Sequence, residues 1–272
     1  MQTKNTGNNK TRGHARSYVM GIAAALLLLS FTILRQEKKP VIYIIGDSTV
    51  QNSDGNGRNA YWGWGSLIYP AFDTLQIAIQ NHAKAGTSTR TFILDGRWDR
   101  IMKTLKKGDF VIMQFGHNDH AGVEDTLKQK GTLLGISDST KDIISIRTHQ
   151  KETVHTYGWY MRKFIKEAKS KGAIPIVCSL VPRNRWDGDQ VVVEAAYPTW
   201  AEQVAKQEGA YYINLNQIIA RHWVAIGKDS VKNFFPGDGT HTNIKGAKLN
   251  AASVIEGLRG LDNCPIQKYM RP

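Results

Sequence analysis

Short apolar segments alternate with longer segments of mixed polarity along the chain beyond residue 40. The apolar segments are five to seven residues long and are typical of buried β-strands. They occupy residues 41–45, 77–83, 110–115, 174–180 and 211–215. The longer segments predict helices over residues 90–108, 151–172, 198–209 and 243–260. Strands that alternate with helices predict a parallel sheet with helices on both faces, the doubly wound α/β class.

This fold class indicates where functional residues should lie. In open α/β sheets, binding sites gather at the carboxyl ends of the strands. The first predicted strand runs into Gly-Asp-Ser-Thr (46–49), the second is followed by Lys-Ala-Gly-Thr-Ser (84–88), and the third by Gly-His-Asn-Asp (116–119). The loop after the third strand extends to about residue 147. Loops of this length in compact domains are usually functional or disordered.

Composition and charge narrow the class of protein. The 272 residues, 41% of them hydrophobic, suffice for one large domain with a substantial core. The net charge of +13 is uneven, because residues 1–39 hold seven Lys or Arg and one Glu, which leaves +7 for the remainder. Those charges are scattered and form no basic block or module of the kind that binds nucleic acid. A moderately basic surface suits an anionic polysaccharide.

The N-terminal segment is typical of an export signal. Four Lys or Arg residues without any acidic residue precede the apolar run over residues 18–34. The run is long for a cleaved signal, slightly short for a spanning helix, and followed by no small-x-small cleavage site, so membrane anchoring through residues 18–34 stays open. The sequence therefore predicts a signal peptide or anchor over residues 1–39. Residues 40–272 are then an exported domain, in the periplasm or outside the cell.

Two cysteines, Cys178 and Cys264, are too few for a disulfide framework. Cys178 lies in an apolar segment and is expected to be a small core residue. Whether the two residues form a disulfide stays open.

Ser48 is the candidate nucleophile, because it follows a buried strand directly. A serine nucleophile needs a base, a group that orients the base, and donors for the developing oxyanion. Asp238 and His241 lie three residues apart in a glycine-bounded loop. One turn can bring the carboxylate onto Nδ1–H of the ring and leave Nε2 free to face a serine. Helix capping would explain Asp238 or Thr242 taken singly, but it gives no reason for the pair.

Two loop residues are candidate oxyanion donors. Asn118, at the end of a strand, can direct its side-chain N–H at an oxyanion, and Gly86 can offer a backbone N–H that no side chain blocks. Taken individually, both are ordinary turn residues. His117 and His120 lack a third nearby ligand, so no metal site is expected.

Together these segments resemble the SGNH (GDSL) hydrolase family. The resemblance rests on GDST (46–49), Gly86, GHND (116–119) and DGTH (238–241), in this order across residues 41–260. Further segments are similar to the rhamnogalacturonan acetylesterase branch of that family: GDSTVQN (46–52), GRWD (96–99), residues 151–173 and SLVPRNRWDG (179–188). Thr49 stands where the wider family commonly has leucine, and the acetylesterase branch also has threonine.

The resemblance implies a flavodoxin-like parallel sheet of the SGNH-hydrolase type and a serine esterase mechanism. Ser48 would be the nucleophile, His241 the general acid and base, and Asp238 its orienting group. The backbone N–H groups of Ser48 and Gly86 and the side chain of Asn118 would form the oxyanion hole. Acyl transfer of this kind requires no metal and no organic cofactor.

The resemblance also implies a substrate. We expect a monomeric enzyme that removes O-acetyl groups from a plant cell-wall polysaccharide or its oligosaccharides, with rhamnogalacturonan, a pectin, as the first candidate. Acetylated xylan, small esters of the GDSL lipase type, and a non-catalytic glycan-binding role are the alternatives. Arg90 and Arg183 are candidates to bind a uronate carboxylate through a forked guanidinium. Trp186 is a candidate to stack on a sugar ring.

Overall fold

The five apolar segments form the central sheet of the computed structural model, which describes Met1, residues 39–52 and residues 60–272. Residues Pro40–Pro272 make up one compact unit. Strands in the described residues run over Val41–Gly46 (β1), Ala78–Asn81 (β2), Phe110–Gln114 (β3), Thr140–Ile144 (β4), Lys151–His155 (β5), Ile174–Cys178 (β6), Trp186–Asp187 (β7), Gln190–Val191 (β8) and Tyr211–Ile213 (β9).

Helices in the same residues alternate with the strands of the central sheet. They run over Thr89–Leu94 (α1), Arg97–Met102 (α2), Tyr157–Ser170 (α3), Ala196–Gln207 (α4), Leu215–Ile226 (α5), Lys228–Lys232 (α6) and Ile244–Arg259 (α7). Among the described residues, 3₁₀ turns run over Tyr69–Ala71 and Pro265–Tyr269.

The doubly wound fold is confirmed. The central sheet has the order β2-β1-β3-β6-β9, and each neighbouring pair is parallel. The chain leaves β1 toward β2 on one side and later returns to β3 on the other, so β1 lies where the winding direction reverses. Clefts at the carboxyl ends of the strands open at such a reversal.

The strands are buried on both faces because their side chains alternate between two hydrophobic clusters. Ile42 and Ile44 of β1 pack with α5 and α7, whereas Tyr43 and Ile45 pack with α1 to α4. Continuous apolar runs rather than alternating ones are the expected sequence pattern for such strands.

Two predicted helices are shorter than expected. The helix predicted over 90–108 is interrupted between α1 and α2, where Gly96 has φ +62°, a left-handed conformation that favours glycine. The helix predicted over 151–172 begins only at Tyr157. Its first residues instead form β5, which pairs antiparallel with β4, and the Thr156 hydroxyl caps α3 by accepting from Trp159 N–H.

Other features were not predicted. The strand β4 lies inside the segment over residues 116–147 that was predicted to be a loop. The helix α5 begins at Leu215, which was predicted to end a strand, and Asn214 caps it.

The predicted signal peptide or anchor lies outside the described residues, since residues 2–38 are not among them. Within residues 39–52 and 60–272, the structure contains no helix that is both long and apolar enough to cross a bilayer. Cys178 and Cys264 are both buried and are not joined by a disulfide. Cys178 packs in the core, as expected.

The core of the sheet generates a stability prediction. Ile112 is fully buried in the central strand β3, so Ile112→Ala should lower the free energy of unfolding by about 2–5 kcal/mol through lost burial and a residual cavity. Ile144→Ala is the matched control, because Ile144 is 64% exposed on β4 and its loss should cost less than about 0.5 kcal/mol. Urea unfolding measures both variants, and equal losses would contradict this account of the core.

Candidate active site

Ser48 lies on a tight turn directly after β1. The Asp47 carbonyl accepts hydrogen bonds from Val50 N–H (3.2 Å) and Gln51 N–H (2.9 Å), which fixes this turn. Gly46 is required at the end of β1, since a Cβ there would lie 2.6 Å from the Gln114 carbonyl oxygen and 2.6 Å from Cγ2 of Val50. The close contacts place the serine, half-buried, at the carboxyl edge of the sheet.

Four buried side chains form a hydrogen-bonded chain beneath this turn. Trp64 Nε1–H donates to Gln114 Oε1 (2.8 Å), and Gln114 Nε2–H donates to Thr49 Oγ1 (2.8 Å). Thr49 donates from its backbone N–H (2.9 Å) and its hydroxyl (2.8 Å) to Asp47 Oδ1. Burial raises the pKa of Asp47, and the two Thr49 hydrogen bonds oppose that effect. A leucine in place of Thr49 could make neither of these side-chain hydrogen bonds. The hydrogen-bonded network therefore explains why threonine occupies position 49.

The structure brings Ser48, His241 and Asp238 into one line of contacts. Ser48 Oγ lies 2.8 Å from Nε2 of His241, and Nδ1 of the same ring lies 2.7 Å from Oδ2 of Asp238. Asp238 Oδ1 accepts from the backbone N–H of Thr240 (2.7 Å) and of His241 (2.8 Å). Partial burial raises the pKa of Asp238, but these hydrogen bonds outweigh burial and the net pKa lies below its ordinary value. The aspartate is therefore ionised at neutral pH.

The loop that carries His241 is held by two other segments. Trp62 N–H donates to the Thr242 carbonyl (2.7 Å), and the Thr242 hydroxyl donates to the Trp62 carbonyl (3.1 Å). Asn184 N–H donates to the Gly239 carbonyl (2.7 Å). Because these contacts fix the backbone on both sides of His241, the imidazole keeps its position relative to Ser48.

Asn118 and the Gly86 loop also meet at this edge. Asn118 Nδ2–H donates to the Thr87 carbonyl (3.0 Å), which leaves the second N–H of the amide for a ligand. Lys84 N–H donates to the Gly46 carbonyl (2.9 Å) and so fastens the Gly86 loop to the end of β1. The loops after β1, β2 and β3 are thereby joined beside Ser48.

Asp119 joins the loop after β3 to Thr89 at the start of α1. Asp119 was given no role in the sequence analysis. Its Oδ1 accepts from Thr89 N–H (3.1 Å) and from the Thr89 hydroxyl (2.5 Å). Its Oδ2 is buried and lacks a hydrogen-bond partner among the described residues. Burial raises the pKa of Asp119 to about 7, a shift that the hydrogen bonds from Thr89 oppose and nearby Asp47 reinforces. Its position next to Asn118 in the sequence was the available signal.

His117 is buried in the same loop. Burial lowers its pKa to about 3, and the positive charge of Arg183 adds to this effect. The imidazole is therefore neutral at neutral pH.

The prediction that Arg90 binds substrate is wrong. The side chain is 1% exposed, and its Nε and Nη2 donate to the two carboxylate oxygens of Glu152 at 2.6 and 2.8 Å. Its Nη1 donates to the Gly131 carbonyl at 2.9 Å. A forked guanidinium does meet a carboxylate here, but the carboxylate belongs to the protein, and the pair fastens α1 to β5.

Arg183 lies in the loop after β6 and Trp186 is the first residue of β7, and their contact with substrate stays a prediction. Arg183 is half-buried and donates from Nη1 to the hydroxyl of Thr240, next to His241 in the sequence. Trp186 is half-buried, donates from Nε1 to Asn184 Oδ1 (2.8 Å) and packs against the core. The structure thus brings Arg183 to the catalytic loop, whereas Trp186 has packing contacts of its own.

Comparisons with known proteins identify related proteins and a matching family. The model of the GDSL-like lipase/acylhydrolase family matches residues 44–249. A rhamnogalacturonan acetylesterase of Emericella nidulans is 28% identical over 235 residues, which cover 86% of this chain and 91% of that protein. The rhamnogalacturonan acetylesterase RhgT of Bacillus subtilis is 28% identical over 250 residues, which cover 86% of this chain and 95% of that protein.

A solved structure shows the same fold. The crystal structure of the Bacillus subtilis protein YxiM superposes with a TM-score of 0.66 at 24% sequence identity. The match covers 82% of this chain and 56% of that one, so this chain spans little more than half of that protein.

The buried Asp119 generates a prediction for stability against pH. Its folded-state pKa of about 7 lies above the unfolded value of about 4, so the native protein retains a proton that the unfolded chain loses. This group therefore lowers the stability of the wild type as pH rises from about 4 to 7. Asp119→Asn retains the acceptor for Thr89 and does not titrate. Its free energy of unfolding should rise relative to that of the wild type by about 1.4 kcal/mol per pH unit within this window.

Urea unfolding at several pH values between 4.5 and 8 measures the difference. Asp189→Asn, at an exposed position, is the matched control and should follow the wild type at every pH. A difference between Asp119→Asn and wild type that stays constant across the window would contradict the assignment of the raised pKa.

Proposed function

Because the chain belongs to the GDSL-like lipase/acylhydrolase family and is a carboxylic ester hydrolase, we propose that it removes O-acetyl groups from rhamnogalacturonan. The observation that carries this proposal is the line of contacts from Asp238 through His241 to Ser48, with distances of 2.7 and 2.8 Å. The relatives named rhamnogalacturonan acetylesterase, each matched over most of its length, support an acetylesterase and suggest the polymer.

The geometry supports nucleophilic catalysis by Ser48. As Oγ attacks the acetyl carbonyl carbon, the hydroxyl proton passes to Nε2 of His241. Asp238, ionised and hydrogen-bonded to Nδ1–H, stabilises the imidazolium that forms. The tetrahedral intermediate then collapses, the bond between the carbonyl carbon and the sugar oxygen breaks, and His241 returns the proton to that oxygen. The products of this half are a free sugar hydroxyl and an acetyl-serine.

Water completes the cycle. His241 takes a proton from the water as it attacks the acetyl-serine, and it then protonates Ser48 Oγ as acetate leaves. In both halves the negative charge on the carbonyl oxygen would be stabilised by the N–H groups of Ser48 and Gly86 and the amide of Asn118. The hydrogen bond from Asn118 to the Thr87 carbonyl supports this role, because it fixes the amide before substrate binds.

The proposal includes the residues that contact the substrate and the location of the enzyme outside the cytoplasm. Arg183, held beside the His241 loop, would meet a uronate carboxylate, and Trp186 would border the sugar chain. A polymer of the plant cell wall requires an enzyme outside the cytoplasm. The basic and apolar segment over residues 1–34 supports such export.

Replacement of the nucleophile tests the mechanism. Ser48→Ala should lower kcat for a chromogenic acetate ester by about 10⁴-fold or more, because the attacking oxygen is removed. Ser139→Ala is the matched control. Ser139 is exposed, and among the described residues its hydroxyl forms a hydrogen bond only with Ser137. Initial rates and thermal unfolding of both variants are compared with the wild type. Hydrolysis by Ser48→Ala at the wild-type rate would overturn the proposed nucleophile.

Acetate release from defined polymers tests the substrate. We expect kcat/KM for acetylated rhamnogalacturonan oligosaccharides to exceed that for acetylated xylan oligosaccharides by about 10-fold or more, given the uronate in the first and the basic surface of the enzyme. Acetate is quantified at matched acetyl concentrations. A preference for xylan would overturn the proposed polymer and leave the esterase mechanism in place.

A further inference from the structure

A basic cavity lies beside the Gly86 loop. Its volume is about 350 Å³, and Gly86 itself forms part of its wall. The charged side chains that line it are Lys84, Lys128, Lys130, Arg147 and Asp95. Four cations against one carboxylate make the cavity positive, so it attracts anions.

Lys130 lies beside Gly86, a residue of the proposed oxyanion hole. Its Nζ lies 3.1 Å from the position that a Cβ on Gly86 would occupy. The side chain is half-buried, and burial lowers the pKa of Lys130, as does neighbouring Lys128, while the carboxylates of Asp125 and Asp47 oppose the shift. An ammonium group that has lost part of its hydration gains most from an anionic ligand.

The cations of this cavity differ in how far the protein already neutralises them. Arg147 Nη2 donates to Asp95 Oδ1 at 2.5 Å, so its charge is compensated within the protein. Within residues 39–52 and 60–272, the side chains of Lys84, Lys128 and Lys130 form no ion pair with a carboxylate. Three lysines therefore remain available to one ligand.

The backbone that presents Lys130 is rigidly held. The Lys130 carbonyl accepts from the Ser88 hydroxyl (2.6 Å), and the adjacent Gly131 carbonyl accepts from buried Arg90 (2.9 Å). On the other side, the Gln129 amide donates to the Ile144 carbonyl at 2.9 Å. Such fixation reduces the entropy lost when the lysine binds a ligand.

We propose that this cavity binds the carboxylate of a uronic acid residue of the acetylated substrate, with Lys130 as the main contact. The inference rests on the proposed function and assigns it a subsite. Gly86 lines the cavity and also belongs to the proposed oxyanion hole, so the cavity adjoins the position that the acetyl group would occupy. The cavity is open at the surface and large enough for one sugar carboxylate with part of its ring. Acetylated glycans without uronic acid would lack this contact.

The test compares acetylated rhamnogalacturonan oligosaccharides with free carboxylates against the same oligosaccharides after methyl esterification of the uronates. For the wild type, kcat/KM should be about 10-fold higher on the free acid, chiefly through a lower KM. Lys130→Gln should reduce this ratio to near one, and Lys130→Arg should retain most of it. The preference of the wild type should also weaken as ionic strength rises.

Lys171→Gln is the matched control, because it removes the same charge at an exposed position at the carboxyl end of α3. It should leave the ratio unchanged. Thermal unfolding checks that each variant is folded, and rescue by Lys130→Arg separates loss of charge from loss of structure.

Calorimetric binding of deacetylated oligosaccharides with free carboxylates provides a readout that does not depend on turnover. Binding by the wild type that weakens about 10-fold in Lys130→Gln would support the subsite even if the esterase proposal failed. A free-acid preference that survives in Lys130→Gln, or a wild type that shows no such preference, would overturn the subsite and leave the esterase proposal standing. Absence of acetate release from both forms by the wild type would instead overturn the proposed function.

Discussion

The hydrogen bond between Ser48 and His241 joins residues 193 positions apart, and the rest of the site depends on it. Such a contact needs both ends of the domain at one edge of the sheet. The parallel order places β1 between β2 and β3, so the loops after all three strands leave the sheet together. The loop before α7, which carries His241, lies along the same edge, where Thr242 forms hydrogen bonds with the backbone of Trp62. The topology therefore performs most of the positioning.

Buried polar groups complete the positioning that the topology begins. The chain from Trp64 to Asp47 fixes the turn of Ser48 from within the core, and Asp119 fixes the adjacent loops through Thr89. Each group costs desolvation free energy, which its hydrogen bonds offset in part. The pKa values of Asp47 and Asp119 stay raised because their hydrogen bonds do not fully offset the desolvation free energy. The site is thus held by groups that lower stability near neutral pH, a cost that proteins commonly accept at functional sites.

The sequence was most informative where one local pattern determines the structure. Five buried strands followed from apolar runs. The line from Asp238 to Ser48 followed from a serine at a predicted strand end and from an aspartate and a histidine three residues apart in one loop. The errors arose where distant partners decide the outcome. Residues 151–155 form a strand because β4 is available to pair with them, and their own pattern does not reveal this partner. The position of the Arg90 side chain depends on Glu152, which lies 62 residues away in the sequence. Lys130 is a loop lysine that no sequence pattern distinguishes from its neighbours.

The corrected position of Arg90 connects the fold to the proposed subsite. Arg90 was expected to meet a uronate directly, but it is occupied by Glu152 and by the Gly131 carbonyl. Gly131 adjoins Lys130, so the buried ion pair holds the segment that presents this half-buried cation. An arginine suits the buried position because its planar fork binds a carboxylate at two points and has a donor left for a carbonyl. A lysine suits the cavity because one compact charge on a flexible stem can follow a carboxylate on a mobile sugar. The structure thus gives Arg90 a role in the fold, and the uronate contact first expected of Arg90 is the one proposed for Lys130.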